Sequence, residues 1–277
     1  MTGYLWFRRH RVDAVEKANE AYRVLAARFP LDPSEFVWPY GQVLEAAIAT
    51  DAKADVEMLL AGLAPYWDGV AYRSDIRGGD RFYDDNAWLG LAFVRLGRFE
   101  DAARIFRYAT TGWDAQRGGV YWTEGRNRDR NTVSTAPNAQ LAMHLHARTG
   151  HDAYRQWAQR MHDWVDTTLR DPADGLYWDH IDDAGVIERT KWSYNQGCMA
   201  GLKATLGMQE AAATIARATL PAITGQPLAF NAIFFRNARE LDLGHAELTA
   251  YAATLATEYE DLLDQAAAVQ LFALAAH

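Results

Sequence analysis

Two adjacent aspartates, Asp84 and Asp85, are the residues in this sequence best placed to do chemistry. They open a helical segment in FYDDNAWLGLAFVRLG, directly after a long loop. Glycoside hydrolysis requires two carboxyl groups around the scissile bond, about 5–5.5 Å apart in a retaining enzyme and about 6.5–9.5 Å apart in an inverting one. Because adjacent Cα atoms lie only about 3.8 Å apart, the pair fits the shorter separation, which indicates a nucleophile and an acid/base.

The same pair has a purely structural interpretation. Aspartate is favoured at the N-cap and in the first turn of a helix, where it accepts unpaired N–H groups and meets the positive end of the helix dipole. An aspartate that only caps the helix should contribute about 1 kcal/mol to stability and nothing to catalysis. The elements around the pair therefore decide between the two interpretations.

Apolar residues recur at helical spacing along nearly the whole chain of 277 residues. The pattern predicts twelve helices and no long strand. Their predicted ranges are 11–29, 38–50, 53–64, 84–96, 99–112, 135–149, 152–169, 192–206, 209–220, 229–241, 245–257 and 261–275. Because no linker, low-complexity tract or charge block separates them, we expect a single domain over residues 1–277.

The connections between these segments alternate in length. Short turns follow the second, fourth, sixth, eighth and tenth helices, whereas long loops follow the first, third, fifth and seventh. This alternation predicts six helical hairpins that close into an all-α (α/α)6 barrel. The long loops would then share one rim with the N-termini of the inner, even-numbered helices, and Asp84 and Asp85 would lie on that rim.

Three of the long loops resemble one another. They read GVAYRSD (69–75), GGVYWTE (118–124) and DGLYWDH (174–180), at a spacing of about 50 residues that suits a repeated hairpin unit. Each is predicted to form a short strand, and residues 176–189 are predicted to form a small hairpin that turns at Asp182 to Gly185.

Charge and aromatic content narrow the class of ligand. The chain has 28 basic and 36 acidic residues, a formal net charge of −8, which argues against a nucleic-acid partner. It also has 10 Trp and 13 Tyr, whose flat apolar faces and polar tips suit sugar rings.

Other features predict what the protein lacks. The start MTGYLWFRRHRVD does not have the order of a secretion signal, and no apolar run reaches the roughly 20 residues that span a bilayer, so we expect a cytoplasmic protein without a membrane span. Cys198 stands alone and is predicted to be a small buried residue. His144 and His146 point to different helix faces, which argues against a shared metal, and we expect neither metal nor cofactor. The sequence leaves the oligomeric state open.

The motif FYDDNAWLGLA resembles the paired-aspartate signature of glycoside hydrolase family 76, bacterial and fungal endo-α-1,6-mannanases with an (α/α)6 fold. Further motifs follow in the order of that family, namely GGVYW (118–122), RNTVSTAP (130–137), GLYWDHI (175–181), WSYNQG (192–197) and AFNAIFFR (229–236). The resemblance implies that Asp84 is the nucleophile and Asp85 the acid/base of a retaining hydrolase. Its substrate would be α-1,6-linked mannose in α-mannan or mannooligosaccharides.

The chain differs from the family pattern at two places near the expected cleft. Thr135 and Ala136 stand where the family usually has Asn-Gly, and Asn231 stands where it tends to have Lys. These differences bear on substrate preference.

Candidate substrate-binding residues lie at the starts of the inner helices and on the long loops. Aromatic rings there could stack on sugars, and amide, hydroxyl and carboxylate groups could bind hydroxyls. The set comprises Trp38, Tyr40, Gln42, Tyr83, Asn86, Asn131, Thr132, Ser134, Tyr177, Asp179, Trp192, Tyr194, Asn195, Gln196 and Arg236. Structural roles compete for several of them: core packing for Trp38 and Tyr40, capping for Asn131, and a buried carboxylate partner for Arg236.

Two other functions fit the same barrel. A sugar epimerase or isomerase would need a histidine as proton shuttle, and His180 is the only histidine in the aspartate-rich loops. A non-catalytic glycan-binding protein would use the aromatic residues while Asp84 and Asp85 only cap a helix. Fold alone does not separate these functions.

Overall fold

The computed structural model describes residues 2–32, 34–125, 128–241 and 244–276, with side chains from residue 13 onward apart from that of residue 240. The α-helices in this part of the chain are α1 (Thr2–Ala26), α2 (Val37–Ala49), α3 (Lys53–Gly62), α4 (Tyr83–Arg95), α5 (Phe99–Thr111), α6 (Thr132–Thr149), α7 (Asp152–Thr168), α8 (Ser193–Thr205), α9 (Gln209–Thr219), α10 (Leu228–Glu240), α11 (His245–Ala253) and α12 (Leu262–Ala276). Short 3₁₀ helices cover Ala64–Tyr66 and Leu220–Gly225. Among the described residues, none of the helices combines the length and apolarity needed to cross a membrane.

The even-numbered helices form a closed inner ring. Along the ring, α2 packs on α4, α4 on α6, α6 on α8 and α8 on α10, and α12 closes it by packing against both α10 and α2. The odd-numbered helices lie outside: α1 and α11 on α12, α3 on α2, α5 on α4 and α6, α7 on α6 and α8, and α9 on α8. The predicted (α/α)6 barrel is confirmed.

Two helices begin more than one residue earlier than predicted. Helix α1 begins at Thr2 instead of residue 11, and α6 begins at Thr132 instead of residue 135. The prediction for α6 placed Pro137 in the first turn, where a missing N–H costs nothing. In the structure Pro137 lies in the second turn, and the start of α6 is fixed by Ser134, whose Oγ accepts the Asn131 N–H at 3.3 Å.

The long loops share one rim and are joined there by a small sheet. Strands β1 (Arg130–Asn131), β2 (His180–Ile181) and β3 (Ile187–Glu188) pair antiparallel in that order, with Asn131 opposite His180. The predicted hairpin is present, because the Asp182 N–H donates to the Val186 carbonyl at 3.0 Å. Strand β1 was not predicted. The sheet brings together two loops that lie about 50 residues apart in sequence.

The three similar loop motifs form isolated bridges instead of full strands. Each motif pairs back on a residue that lies just after the preceding helix or 3₁₀ helix, in the bridges Trp67–Tyr72, Trp113–Val120 and Arg170–Tyr177. An aspartate follows that residue each time and turns the chain by accepting backbone N–H groups, as Asp68, Asp114 and Asp171 do. Each of the three sequence motifs therefore follows the same kind of turn, in which an aspartate side chain accepts backbone N–H groups.

A buried ion pair crosses the barrel interior. Glu45 on α2 has a side chain only 4% exposed, and its Oε2 lies 3.2 Å from Nη1 of Arg236 on α10. Arg95 on α4 pairs with the same carboxylate, and Arg236 also donates to Oε1 of Gln270 on α12 at 3.0 Å. The carboxylate partner considered for Arg236 is therefore Glu45, and the cluster links four inner helices.

Inner helices α8 and α10 pass very close to each other. A Cβ atom added at Gly197 of α8 would lie 2.6 Å from the Cα atom of Phe234 on α10. Cys198, next in the chain, is fully buried as predicted. The absence of a side chain at Gly197 sets the spacing of these two helices, which together carry part of the rim.

Candidate active site

A cleft of about 770 Å³ opens on the rim that carries the long loops. Its walls come from the starts of α2, α4, α8 and α10 and from the loops before α4, α6 and α8. The lining residues are Phe36, Trp38, Pro39, Ser74, Asp75, Gly79, Asp80, Phe82, Asp84, Asp85, Trp88, Trp122, Asp129, Asn131, Asp179, His180, Tyr194 and Phe230.

Asp84 lies in the first turn of α4 and is held by two donors. Its Oδ2 accepts the indole N–H of Trp122 at 3.1 Å, and its Oδ1 accepts the backbone N–H of Asp85 at 3.0 Å. Burial raises the pKa of Asp84 to about 6, and the charge of Asp179 adds to the rise, while these hydrogen bonds oppose it. With a pKa of about 6, the carboxyl is mostly ionised at pH 7.

Asp85 lies in the same turn but in a different environment. Among the described residues, its carboxyl has no hydrogen-bond donor. Burial raises the pKa of Asp85 well above its usual range, and the neighbouring charge of Asp84 raises it further. The pair therefore combines one carboxyl that accepts two hydrogen bonds, which favour its charged form, with one that accepts none among the described residues.

The N-terminus of α4 does not depend on these carboxyls for a conventional cap. The N-cap residue is Phe82, whose side chain cannot accept a hydrogen bond, and the Tyr83 N–H is satisfied by the carbonyl of Trp122 at 2.9 Å. Within α4, the Asp84 carboxylate accepts the backbone N–H of the adjacent Asp85, and its other hydrogen bond comes from Trp122, outside the helix. Capping alone does not account for two adjacent acids at this position, of which Asp84 is buried and Asp85 partly buried.

A third group of charges lies on the loops that the small sheet joins. Asp179 Oδ2 lies 2.9 Å from His180 Nδ1, and Asp129 Oδ2 lies 3.9 Å from His180 Nε2. Asp179 Oδ1 also accepts Nδ2 of Asn195 at 3.0 Å. The hydrogen bond to Asp179 raises the pKa of His180, and the charges of Asp179, Asp129 and Glu188 act in the same direction.

Aromatic rings cover much of the remaining surface. Tyr194 stacks on Phe230 with ring centroids 4.0 Å apart, and Trp192 meets Phe230 edge-on at 5.5 Å. Trp38 also contacts Phe230, at 6.2 Å. A cleft with acids and flat rings suits a polyhydroxylated, uncharged ligand such as a sugar.

Six of the seventeen residues predicted for the site line the cleft. They are Trp38, Asp84, Asp85, Asn131, Asp179 and Tyr194. The structure does not bring the other eleven to its surface. These are Tyr40, Gln42, Tyr83, Asn86, Thr132, Ser134, Tyr177, Trp192, Asn195, Gln196 and Arg236.

Several of these eleven hold the rim loops from behind. Asn86 accepts the N–H of Tyr72 and donates to its carbonyl, both at 2.9 Å, so it fixes the loop before α4 instead of orienting a catalytic carboxylate. Gln196 accepts the N–H of Tyr177 and donates to its carbonyl, both at 2.8 Å. Thr132 Oγ1 donates to the Trp178 carbonyl at 2.7 Å, and Ser134 Oγ donates to that of Val120 at 2.6 Å.

The others are packed in the core or fill contacts beside the cleft. Tyr40 and Tyr83 are buried, and their hydroxyl groups bond to Leu59 and Thr111. Tyr177 is fully buried and donates to Asp166 at 2.6 Å. Gln42 is buried against Gln270 of α12, Asn195 supports Asp179, Trp192 supports Phe230, and Arg236 pairs with Glu45.

The positions that differ from the family pattern are also used internally. Thr135 is fully buried, and its Oγ1 accepts the Val120 N–H at 3.0 Å. Asn231 is fully buried as well, where it accepts from Ser193 Oγ at 2.8 Å and donates to the Ile223 carbonyl at 2.8 Å. These two side chains support loops and helix ends next to the cleft, and neither lines it.

The predicted site residues did not include the lining residues Trp122, Asp129 and Phe230, and His180 was considered only for the epimerase alternative. One signal was available, because Trp122 follows Gly-Val-Tyr in one of the three similar loop motifs. Trp88 is both buried and part of the lining. Within the described part of the chain, no group of three or more His, Cys, Asp or Glu residues is arranged to hold a metal ion.

Residues 30–211 match the family model of glycosyl hydrolase family 76. The chain belongs to this family. The match contains Asp84 and Asp85, both rim loops joined by the sheet, and the start of α8.

Curated relatives and solved structures agree with this membership. The chain is 29% identical over 141 residues to the mannan endo-1,6-alpha-mannosidase DCW1 of Candida glabrata. This alignment covers 42% of this chain and 31% of the relative. The alignment thus spans about a third of that relative's length. An α-1,6-mannanase of Salegentibacter in complex with α-1,6-mannotetrose is 19% identical with a TM-score of 0.80, covering 95% of this chain and 98% of that one. A Listeria innocua protein also has a TM-score of 0.80, at 20% identity, covering 95% of this chain and 97% of that one.

Proposed function

We propose that this protein is a retaining glycoside hydrolase that cleaves α-1,6-linked mannose in mannan or mannooligosaccharides. The observation that carries the proposal is the contrast between two adjacent acids at one helix N-terminus in a cleft lined by aromatic rings. Asp84 accepts two hydrogen bonds and has a pKa of about 6. Among the described residues Asp85 accepts none, and its pKa is raised well above its usual range.

Asp84 is suited to be the nucleophile. The indole N–H of Trp122, the Asp85 N–H and the positive end of α4 all favour its ionised form. In the first step a carboxylate oxygen of Asp84 attacks the anomeric carbon, and the bond between that carbon and the glycosidic oxygen breaks.

Asp85 is suited to be the acid/base. It holds a proton because its ionised form would be buried beside the charge of Asp84. That proton passes to the departing glycosidic oxygen in the first step. In the second step Asp85 takes a proton from water, the hydroxide oxygen bonds to the anomeric carbon, and the Asp84 carboxylate leaves, so two inversions give net retention.

The substrate class follows from the lining and from the relatives. Trp38, Trp122, Tyr194 and Phe230 present rings that a hexose can stack on, and among the described residues no lysine or arginine lines the cleft to attract an anionic ligand. The Salegentibacter mannanase binds α-1,6-mannotriose as a variant substituted at two adjacent aspartates, which is described as inactive. The curated fungal relatives act on mannan as endo-1,6-α-mannosidases.

A sugar epimerase is the second candidate because His180 lies in the cleft between two carboxylates. That enzyme would interconvert sugars through a proton on His180 and would release no new reducing ends. Its activity would disappear in His180→Ala and persist in Asp84→Asn.

The deciding experiment is incubation with a linear α-1,6-mannooligosaccharide, with products followed by mass and the anomer by NMR. We expect shorter products with initial α-configuration from the wild type and none from Asp84→Asn or Asp85→Asn. Asp51→Asn is the matched control, because Asp51 is an exposed acid in the turn before α3, outside the cleft. Initial β-product would contradict retention, and binding without cleavage by the wild type would favour the glycan-binding alternative.

A further inference from the structure

Trp122 is the residue that connects the aromatic surface of the cleft to the proposed nucleophile. Its side chain lines the cleft and is 36% exposed, which is unusual for a tryptophan in this protein. At the same time its Nε1–H donates to Oδ2 of Asp84 at 3.1 Å. In the described part of the chain, it is the only side chain that donates a hydrogen bond to Asp84.

The position of the indole is set by its own backbone. The Trp122 carbonyl accepts the N–H of Tyr83, the first residue of α4, at 2.9 Å, and the Trp122 N–H donates to the Asp129 carbonyl at 2.8 Å. The ring meets Phe82 edge-on at 5.1 Å. Because Tyr83 is adjacent to Asp84, the same backbone hydrogen bond that ends the loop also fixes the indole relative to the carboxylate.

An indole N–H has a particular effect on a buried carboxylate. It is a donor only and does not ionise in the neutral pH range, so it stabilises the charged carboxylate without acting as an acid toward it. It also occupies one oxygen lone pair, which limits rotation of the carboxyl group. A hydroxyl or ammonium group at this place would lack this combination of properties.

We propose that Trp122 has two separable roles, which are to position the Asp84 carboxylate through Nε1–H and to bind a sugar ring on its exposed face. The inference rests on the proposed function for the second role, whereas the first is a property of the free protein. Trp122 acts through Asp84 in the first role and contacts the substrate directly in the second.

Two substitutions separate these roles. Trp122→Phe retains an apolar ring and removes the N–H, so we expect kcat to fall about tenfold while KM changes less than about twofold. The acid limb of the kcat/KM profile should move up by about half a pH unit, because the charged form of Asp84 loses a donor. Trp122→Ala removes both features, and we expect KM to rise at least about fivefold in addition.

A matched control is available in Trp164. Its Nε1–H also donates a hydrogen bond, to the Arg117 carbonyl at 2.9 Å, at a place outside the cleft. Trp164→Phe therefore removes an equivalent indole hydrogen bond, and we expect kcat, KM and the pH profile to remain those of the wild type. If Trp164→Phe changes the profile as much as Trp122→Phe, the positioning role is wrong.

A direct titration keeps the first role testable even without hydrolysis. The Asp84 carboxyl can be followed by carbon-13 NMR, with Asp84→Asn to assign the signal, and its midpoint should rise in Trp122→Phe and in Trp122→Tyr. An unchanged midpoint in both variants overturns the positioning role. Failure of the proposed function would appear separately, as a wild type that does not cleave mannooligosaccharides while the midpoint still shifts.

An unchanged KM in Trp122→Ala overturns the sugar contact. Thermal melts of all variants identify any that do not fold, and the Tyr variant replaces the Phe variant if the latter fails.

Discussion

At the scale of single residues, the two acids of α4 are predicted to oppose folding instead of supporting it. Asp84 is 9% exposed and has a folded-state pKa of about 6, above its ordinary value of 3.8. A carboxyl with a raised pKa binds its proton more tightly in the folded protein, so the protein loses stability as the pH rises from about 4 to about 6 and does not regain it above. An aspartate that caps a helix would instead stabilise the folded protein as the pH rises, because its pKa would be lowered.

Asp84→Asn should therefore stabilise the protein at pH 7. The change removes the cost of burying the charge, and we expect an increase in the free energy of unfolding on the order of 2 kcal/mol together with loss of hydrolysis. Urea denaturation at pH 7 and at pH 4 measures this, because the gain should nearly vanish at the lower pH. A loss of about 1 kcal/mol at both pH values would instead support the capping interpretation.

The same shift predicts the pH dependence of activity. In the proposed mechanism Asp84 attacks as an ionised carboxylate, so kcat/KM should fall about tenfold per pH unit below about pH 6. The proposed acid/base Asp85 would have to keep its proton for the first step, and its raised pKa would extend activity toward neutral pH. A kcat/KM profile from pH 4 to 8 tests this, and full activity at pH 4.5 would contradict it. Because the two carboxyl groups interact, the apparent pKa values read from the acid and basic limbs of this profile describe the pair and not either aspartate alone.

At the scale of elements, the spacing between α8 and α10 depends on one missing side chain. Gly197→Ala would place a Cβ atom 2.6 Å from the backbone of Phe234, which no side-chain rotation can relieve. We expect a loss of about 1–3 kcal/mol in the free energy of unfolding, despite the better helix propensity of alanine. KM should also rise, because α8 and α10 carry Tyr194 and Phe230.

Gly225→Ala is the control for this substitution. A Cβ atom there would meet open space, and the residue lies at the end of the second 3₁₀ helix. Urea denaturation of both variants should show a loss only for Gly197→Ala. An equal loss of unfolding free energy in both variants would contradict the explanation that the close approach of α8 and α10 requires glycine at position 197.

The elements are also where sequence-based prediction succeeded and where it stopped. Periodicity and loop length predicted the helices, the ring and the location of Asp84 and Asp85, because these depend on local spacing. Residues 194–196 show the limit: consecutive positions on a helix diverge by about 100°, so only Tyr194 lines the cleft while its neighbours bond backward.

The cleft wall was not predictable in the same way. Trp122 and His180 come from different loops that strand pairing joins, with Asn131 opposite His180. Local spacing carries no information about such a pairing. The internal roles of Thr135 and Asn231 likewise depend on tertiary contacts.

At the scale of the whole molecule, the Glu45 cluster ties the ring across its interior. Glu45→Ala would leave Arg95 and Arg236 without their shared carboxylate in a largely buried place, and we expect a loss of about 3 kcal/mol. Urea denaturation measures it. Glu210→Ala is the control, because its ion pair with Arg217 lies on the surface, and we expect no measurable shift in Tm. Equal losses of stability from both substitutions would show that the interior ion pair contributes no more to stability than the surface pair.

The acids of the cleft have one more consequence, which concerns the charge of what can enter. Among the residues that the structure describes, six aspartates line it, and His180 is the one basic side chain in the lining. Such a cavity repels anions, and the net charge of −8 extends that field outward. A mannooligosaccharide bearing a phosphate group should therefore react far more slowly than its neutral counterpart. Added salt should narrow the gap, because screening shortens the reach of the field to about 10 Å at 0.1 M. The barrel would then act as a charge filter for glycans, processing neutral stretches of a polymer and halting at anionic ones.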